Sequence, residues 1–169
     1  MVVWPSIAAY PSGRFLGTLY AIETGFYVLT VGNILALLSI PHALALYFYR
    51  LLPSFFGAPL HGSSYELTNR RIIEQRAEIG ARDGFPFVRF RHNCEVKSVE
   101  LDRFDKVEID QQPGQAWFDA GDLVFTLDGV ETFRLDGVSR PEAFRQTCVK
   151  SHMSYSGVKQ ALHRAATPA

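Results

Sequence analysis

Hydrophobicity along the chain has two regimes. Residues 24–49 read TGFYVLTVGNILALLSIPHALALYFY, 26 positions without Asp, Glu, Lys or Arg. As one helix this run would extend roughly 39 Å at about 1.5 Å per residue, more than the ~30 Å hydrocarbon layer of a bilayer. From Ser63 onward the pattern shifts to short alternating runs, the period of strands with one covered face.

The apolar run carries internal punctuation. Thr24 is placed to cap a helix, and Pro41 predicts a kink around residues 37–40 because it lacks a backbone donor. Tyr20, Phe26 and Tyr27 gather at one end, and Tyr47, Phe48 and Tyr49 at the other. Such aromatic pairs of belts suit the headgroup level of a bilayer, with Arg50 closing the run as a snorkelling cation. Three arrangements fit: one tilted, kinked transmembrane helix over residues 25–51, two short helices meeting near residues 39–41 as a re-entrant hairpin, or two buried helices of a soluble protein. The apolar stretch 15–22 lengthens the first arm and suits the hairpin. A run apolar on every face needs more cover than a small domain supplies, which favours lipid. Asn33 and His42, its most polar groups, mark either an intramembrane contact or side chains bonded to nearby backbone. No basic cluster precedes the run and it exceeds the length of a signal h-region, so it is expected to be retained.

In the polar part, SYELT at 64–68 breaks at Asn69, and RIIEQ at 71–75 returns. EVKSVEL at 95–101 alternates imperfectly, and DKVEID at 105–110 alternates cleanly. GDLVFTL at 121–127 meets VETFRL at 130–135 across an Asp-Gly hairpin signal. Asp136 and Gly137 predict a further turn. Ser139 with Glu142 three residues later predicts a capped helix whose first turn holds Pro141. That helix either continues to about His163 or restarts after Gly157. Strands followed by one closing helix predict a mainly β sandwich or partly open barrel with helices. The expected organisation is a membrane-attached segment over 1–60, a sheet domain over 61–150, and a basic helical tail over 151–169 that frays at its end.

The zero formal charge conceals an uneven distribution. Residues 1–60 carry +1, residues 61–140 carry −4 and residues 141–169 carry +3. The acidic middle predicts no nucleic-acid partner and no broad attraction to anionic surfaces. Arg50, Arg70 and Arg71 follow the apolar run and Arg14 alone precedes it. The positive-inside tendency therefore puts the folded part on the cytoplasmic face of the inner membrane. Cys94 and Cys148 lack metal spacing and are expected as reduced, packed thiols.

No HExxH, GxSxG, phosphate-loop or dinucleotide signature is present, and no cofactor is expected. Arg70 and Arg71, together with Lys150 and Lys159 of the tail, form the candidate lipid-binding set, although Glu66, Glu74 and Glu78 are interleaved with the first pair. Trp117 and Phe118 follow a Pro-Gly turn; either they close the core, the preferred reading for Trp117, or they anchor a partner or a membrane interface. The membrane set is Phe26, Tyr27, Pro41, Tyr47, Tyr49 and Arg50. Residues 78–93 make a long connection whose apolar Phe85, Phe87, Val88 and Phe90 are read as an extra strand, in preference to a loop on the sheets or on lipid.

YELTNRRII at 65–73, SVELDRFDKVEI at 98–109 and GVETFRLDGVSRPEAFRQT at 129–147 resemble the bacterial pleckstrin-homology-like domains found beside transmembrane helices. The resemblance covers about residues 63–150. It implies two nearly orthogonal antiparallel sheets with a C-terminal helix plugging one end, and it carries no enzyme chemistry. The expectation is a non-enzymatic, membrane-anchored interaction or assembly module with membrane lipid and a membrane protein as partners. An anionic-lipid sensor is the alternative, an enzyme with a dispersed site the third reading, and self-association is left open.

Overall fold

A computed structural model describes residues 1–26, 29–51, 63–81 and 88–166. Two antiparallel sheets carry the architecture. The first has the order β1 (Val2–Val3), β4 (Ser63–Leu67), β5 (Arg71–Ala81) and β6 (Val88–Glu100). The second runs β7 (Lys106–Asp110), β8 (Ala120–Leu127) and β9 (Val130–Ser139). A helix at the C-terminal end, α4 (Pro141–Ala166), follows, and the fold is mixed α/β. Among the described residues the sheets stay separate and do not close into a barrel.

Alternation explains which faces meet. Ser63, Tyr65 and Leu67 of β4 are buried while Ser64 and Glu66 between them are only half-buried. Ile72 and Val99 sit opposite each other on β5 and β6. These side chains pack against Leu123 and Phe125 of β8, Phe133 and Leu135 of β9, and Phe144 and Cys148 of α4. Phe104, between the sheets in sequence, stands edge-on to Phe125 with ring centres 5.1 Å apart. Burial pushes the Cys148 thiol up to about 12, which fits an inert packing thiol. The Tyr65 hydroxyl donates to the Asp136 carbonyl at 2.8 Å, so the buried ring keeps its polar end satisfied.

Asp136 and Gly137 do not form the expected turn. They lie in β9 opposite the single residue Asp122, because the register steps from Gly121 facing Val138 to Leu123 facing Leu135. The extra residue makes a β-bulge, which removes backbone groups from the ladder. Asp122 Oδ1 accepts the Gly137 N–H at 2.7 Å, and the Gly137 carbonyl accepts the Ser6 N–H at 2.7 Å. Gly137 has φ +57°, and a Cβ there would come within 2.5 Å of Ala9. The bulge is therefore the seat for the N-terminal segment. Ser139 consequently belongs to the strand rather than capping the helix; α4 starts at Pro141 after Arg140, whose φ is +52°.

That N-terminal segment is the largest departure from the expected organisation, which grouped residues 1–60. β1 pairs with β4, Pro5 bridges to Val138, and a 3-10 turn at Ile7–Ala9 leads into α1 (Pro11–Tyr20). Ala8, Leu16 and Tyr20 are buried. Two-residue strands β2 (Gly25–Phe26) and β3 (Leu29–Thr30) then pair with each other and lead to α2 (Val31–Leu38) and α3 (Ile40–Leu51). The expected separate strand within 78–93 is replaced by length: residues 78–81 extend β5 and pair with residues 88–91 at the start of β6. Phe85 and Phe87 lie outside the described residues.

Candidate functional site

Two surfaces bring sequence candidates together. The first is the apolar pair α2 and α3. Thr30, not Thr24, caps α2, its Oγ1 accepting the Asn33 N–H at 3.2 Å. The helix stops at Ser39, whose N–H donates to Leu35 O at 2.9 Å. Pro41 is the second residue of α3, where a missing donor leaves no helical bond unmade. The expected kink is thus a full break, with the two helices bent by 57°. No single helix among the described residues is long and apolar enough to cross a bilayer; by length and composition the bent pair meets that test only jointly.

Among the described side chains, seven large aliphatic or phenylalanine groups of this pair face outward: Val31, Ile34, Leu37 and Leu38 on α2, and Ile40, Leu44 and Phe48 on α3. Leu37 and Leu38 are 69% and 72% exposed. Tyr47 and Tyr49 are also exposed, and the Tyr49 ring lies 6.3 Å from that of Tyr10. The pair is nevertheless attached to the folded part. Gly32 donates its N–H to Ile22 O at 3.0 Å, and a Cβ on Gly32 would lie 2.3 Å from Tyr20 O. The Tyr20 hydroxyl hydrogen-bonds Ser39 at the break. Tyr27 lies outside the described residues, as do the side chains of Phe26 and Arg50.

Tyr20 also receives the second aromatic candidate. Trp117 and Phe118 sit on a 3-10 turn (Ala116–Phe118), with their rings 4.7 and 6.0 Å from Tyr20. Trp117 is 48% exposed, so it does not close the core as preferred from sequence. The reason is local: buried Gln115 takes the inward position. Its Nε2 donates to Asp122 Oδ1 at 2.7 Å and its Oε1 accepts the Gln112 N–H at 2.8 Å, which turns the following Trp outward.

The second surface is a groove of about 950 Å³ between the β4–β5 turn and the face of α4 that runs from Thr147 to Leu162. It gathers Arg70, Arg71, Lys150 and Lys159, all four candidates, from positions up to 89 residues apart. Thr68 builds the turn: its Oγ1 accepts the Arg71 N–H at 3.1 Å and donates to Arg71 O at 2.7 Å, holding Arg70 at the tip. Their charges are not equally available. Arg71 meets Glu95 at 3.1 Å, and Lys159 meets Asp102 at 2.6 Å. The Lys159 hydrogen bond holds the Asp102 carboxyl below its ordinary value. Arg70 and Lys150 have no carboxylate partner among the described residues.

Sequence reasoning missed the opposite wall, formed by Ser151, Ser154, Tyr155, Val158 and Leu162. Their spacing of three, four, seven and eleven is one face of a helix. Gly157 invited a break there, but α4 runs through it uninterrupted to Ala166. No group of three or more His, Cys, Asp or Glu among the described residues is arranged to hold a metal ion. No protein-family model, curated protein or solved structure matches the chain.

Proposed function

We propose that this protein is a membrane-attached interaction module, seated in one leaflet by α2 and α3 as a re-entrant hairpin. The observation that carries the reading is the helix pair, free of Asp, Glu, Lys and Arg from residue 31 to residue 49, whose Ile34, Leu37, Leu38, Ile40, Leu44 and Phe48 face outward. Water is a poor solvent for such a surface: burying apolar area returns about 25 cal/mol for each Å². The 57° bend suits entry and exit on the same side of the bilayer. Two antiparallel sheets followed by a helix support a pleckstrin-homology-like domain at the cytoplasmic face of an inner membrane, presenting its loops to a membrane-protein partner. Confinement to a surface raises the effective concentration of such a partner without strong intrinsic affinity. The reading is non-enzymatic and needs no cofactor.

Flotation through a density gradient tests it. Full-length protein is expected to rise with neutral phosphatidylcholine vesicles and to remain with them after a high-salt wash, since the attachment is apolar rather than ionic. Monodisperse protein that stays at the bottom of the gradient overturns membrane attachment.

A further inference from the structure

We propose that the groove between the β4–β5 turn and α4 binds one anionic phospholipid. Its phosphate lies against Arg70 and Lys150, and its acyl chains run along Tyr155, Val158 and Leu162. The local charge supports an anion although residues 61–140 carry −4 overall. Around the groove, Arg70, Arg71, Lys150, Lys159 and Arg103 face Glu95, Glu100 and Asp102. Five cations against three carboxylates leave a net of +2, which suits one phosphate group. Each carboxylate already has its own cation, Glu100 being 3.3 Å from Arg103, so the surplus resides on Arg70 and Lys150. The Arg70 guanidinium offers a planar fork that matches two phosphate oxygens, and Lys150 supplies a point charge. Ser151 and Ser154 place hydroxyl donors on the same wall.

The remainder of that wall distinguishes a lipid from a small soluble anion. Val158 and Leu162 line the groove, yet are 60% and 66% exposed. Inorganic phosphate would leave them wet; an acyl chain covers them. The volume lies within the roughly 300–1,000 Å³ usual for sites that enclose small molecules. Phe144 and Cys148 seat α4 in the core and Lys159 meets Asp102 farther along, so this wall stands before any ligand arrives. The site does not depend on α2 and α3 entering a bilayer.

The test is calorimetric titration of the full-length protein in phosphatidylcholine nanodiscs. The probes are dihexanoyl phosphatidic acid, dihexanoyl phosphatidylcholine and inorganic phosphate. Should the chain prove soluble and refuse nanodiscs, the same titration in buffer tests the groove alone, so the two proposals fail separately. Saturable binding of the phosphatidic acid is expected, with the phosphatidylcholine failing to compete. Arg70→Gln with Lys150→Gln should weaken it about 30-fold, taking roughly 1 kcal/mol for each cation near a lipid phosphate. Val158→Asn with Leu162→Asn should weaken phosphatidic acid tenfold or more and leave phosphate unchanged. All four positions are exposed, and thermal melting checks that each variant folds; Arg70→Gln alone, at the tip of the turn, serves if a double variant does not. Affinity unchanged in the Arg70 and Lys150 variants overturns the proposal. So does inorganic phosphate binding as tightly as the lipid.

Discussion

Arginine at both Leu38 and Leu44 is expected to release the protein from neutral vesicles, lowering its partition by a hundredfold or more. A cation at the centre of a membrane helix costs about 2.5–3.5 kcal/mol, and less near the interface. Even at half that value, two of them sum to about 3 kcal/mol, and 1.4 kcal/mol is a factor of ten. Leu38 and Leu44 are 72% and 50% exposed, so the folded part should tolerate the change. Arg at Val130, 66% exposed at the start of β9 and outside the helix pair, is the matched control and should leave flotation intact. Were α2 and α3 instead water-facing helices of a soluble domain, the double substitution would only improve solubility. Flotation of the variant beside wild type distinguishes the two.

The second large effect concerns the seat of the N-terminal segment. Gly137→Ala is expected to cost about 3 kcal/mol, combining the left-handed conformation, roughly 1–2 kcal/mol for a residue with Cβ, with overpacking of about 1–3 kcal/mol. The new Cβ would meet Ala9 Cα at 2.6 Å and Ala9 N at 2.7 Å, so backbone must move rather than a flexible side chain. That movement also loosens the hydrogen bond from Ser6 N–H to Gly137 O. Gly129, with φ +79° and nothing within 4 Å of an added methyl, isolates the conformational part. Its alanine variant should lose only about 1 kcal/mol. In melting temperature, at roughly 2–4 °C for each kcal/mol in a chain of this size, the two variants should differ by several degrees. Equal melting of the two would mean that the N-terminal segment does not press on the bulge.

Those two sites also mark where sequence reasoning succeeded and where it could not. β7 was legible because Val107 and Ile109 alternate with polar neighbours, and β8 because Leu123, Phe125 and Leu127 recur at every second position before an Asp-Gly turn, although Val124 between the first two is buried as well. The break at Ser39 was legible from Pro41. The Asp136 and Gly137 pair misled because Asp-Gly suits a bulge as well as a turn, and the choice was made by Ala9, 128 positions away. The N-terminal packing left almost no local signal: β1 is only two residues long, and its pairing is decided by the edge of β4. Trp117 was misjudged because its neighbour Gln115 is a polar residue that finds buried partners, which composition alone does not reveal. The groove was half legible. Its cations announce themselves, whereas the pairing that engages Arg71 and Lys159 and leaves Arg70 and Lys150 without carboxylates depends on tertiary contacts.

Most direct is the solvent around α2 itself. With Cys94→Ser and Cys148→Ala as background, a nitroxide attached at Leu37→Cys reports its collisions with oxygen and with a water-soluble nickel complex in vesicle-bound protein. High oxygen and low nickel accessibility at this position, with the reverse at Val130→Cys, is the expected outcome. Nickel accessibility at Leu37 equal to that at Val130 would contradict an acyl-chain environment for the helix pair.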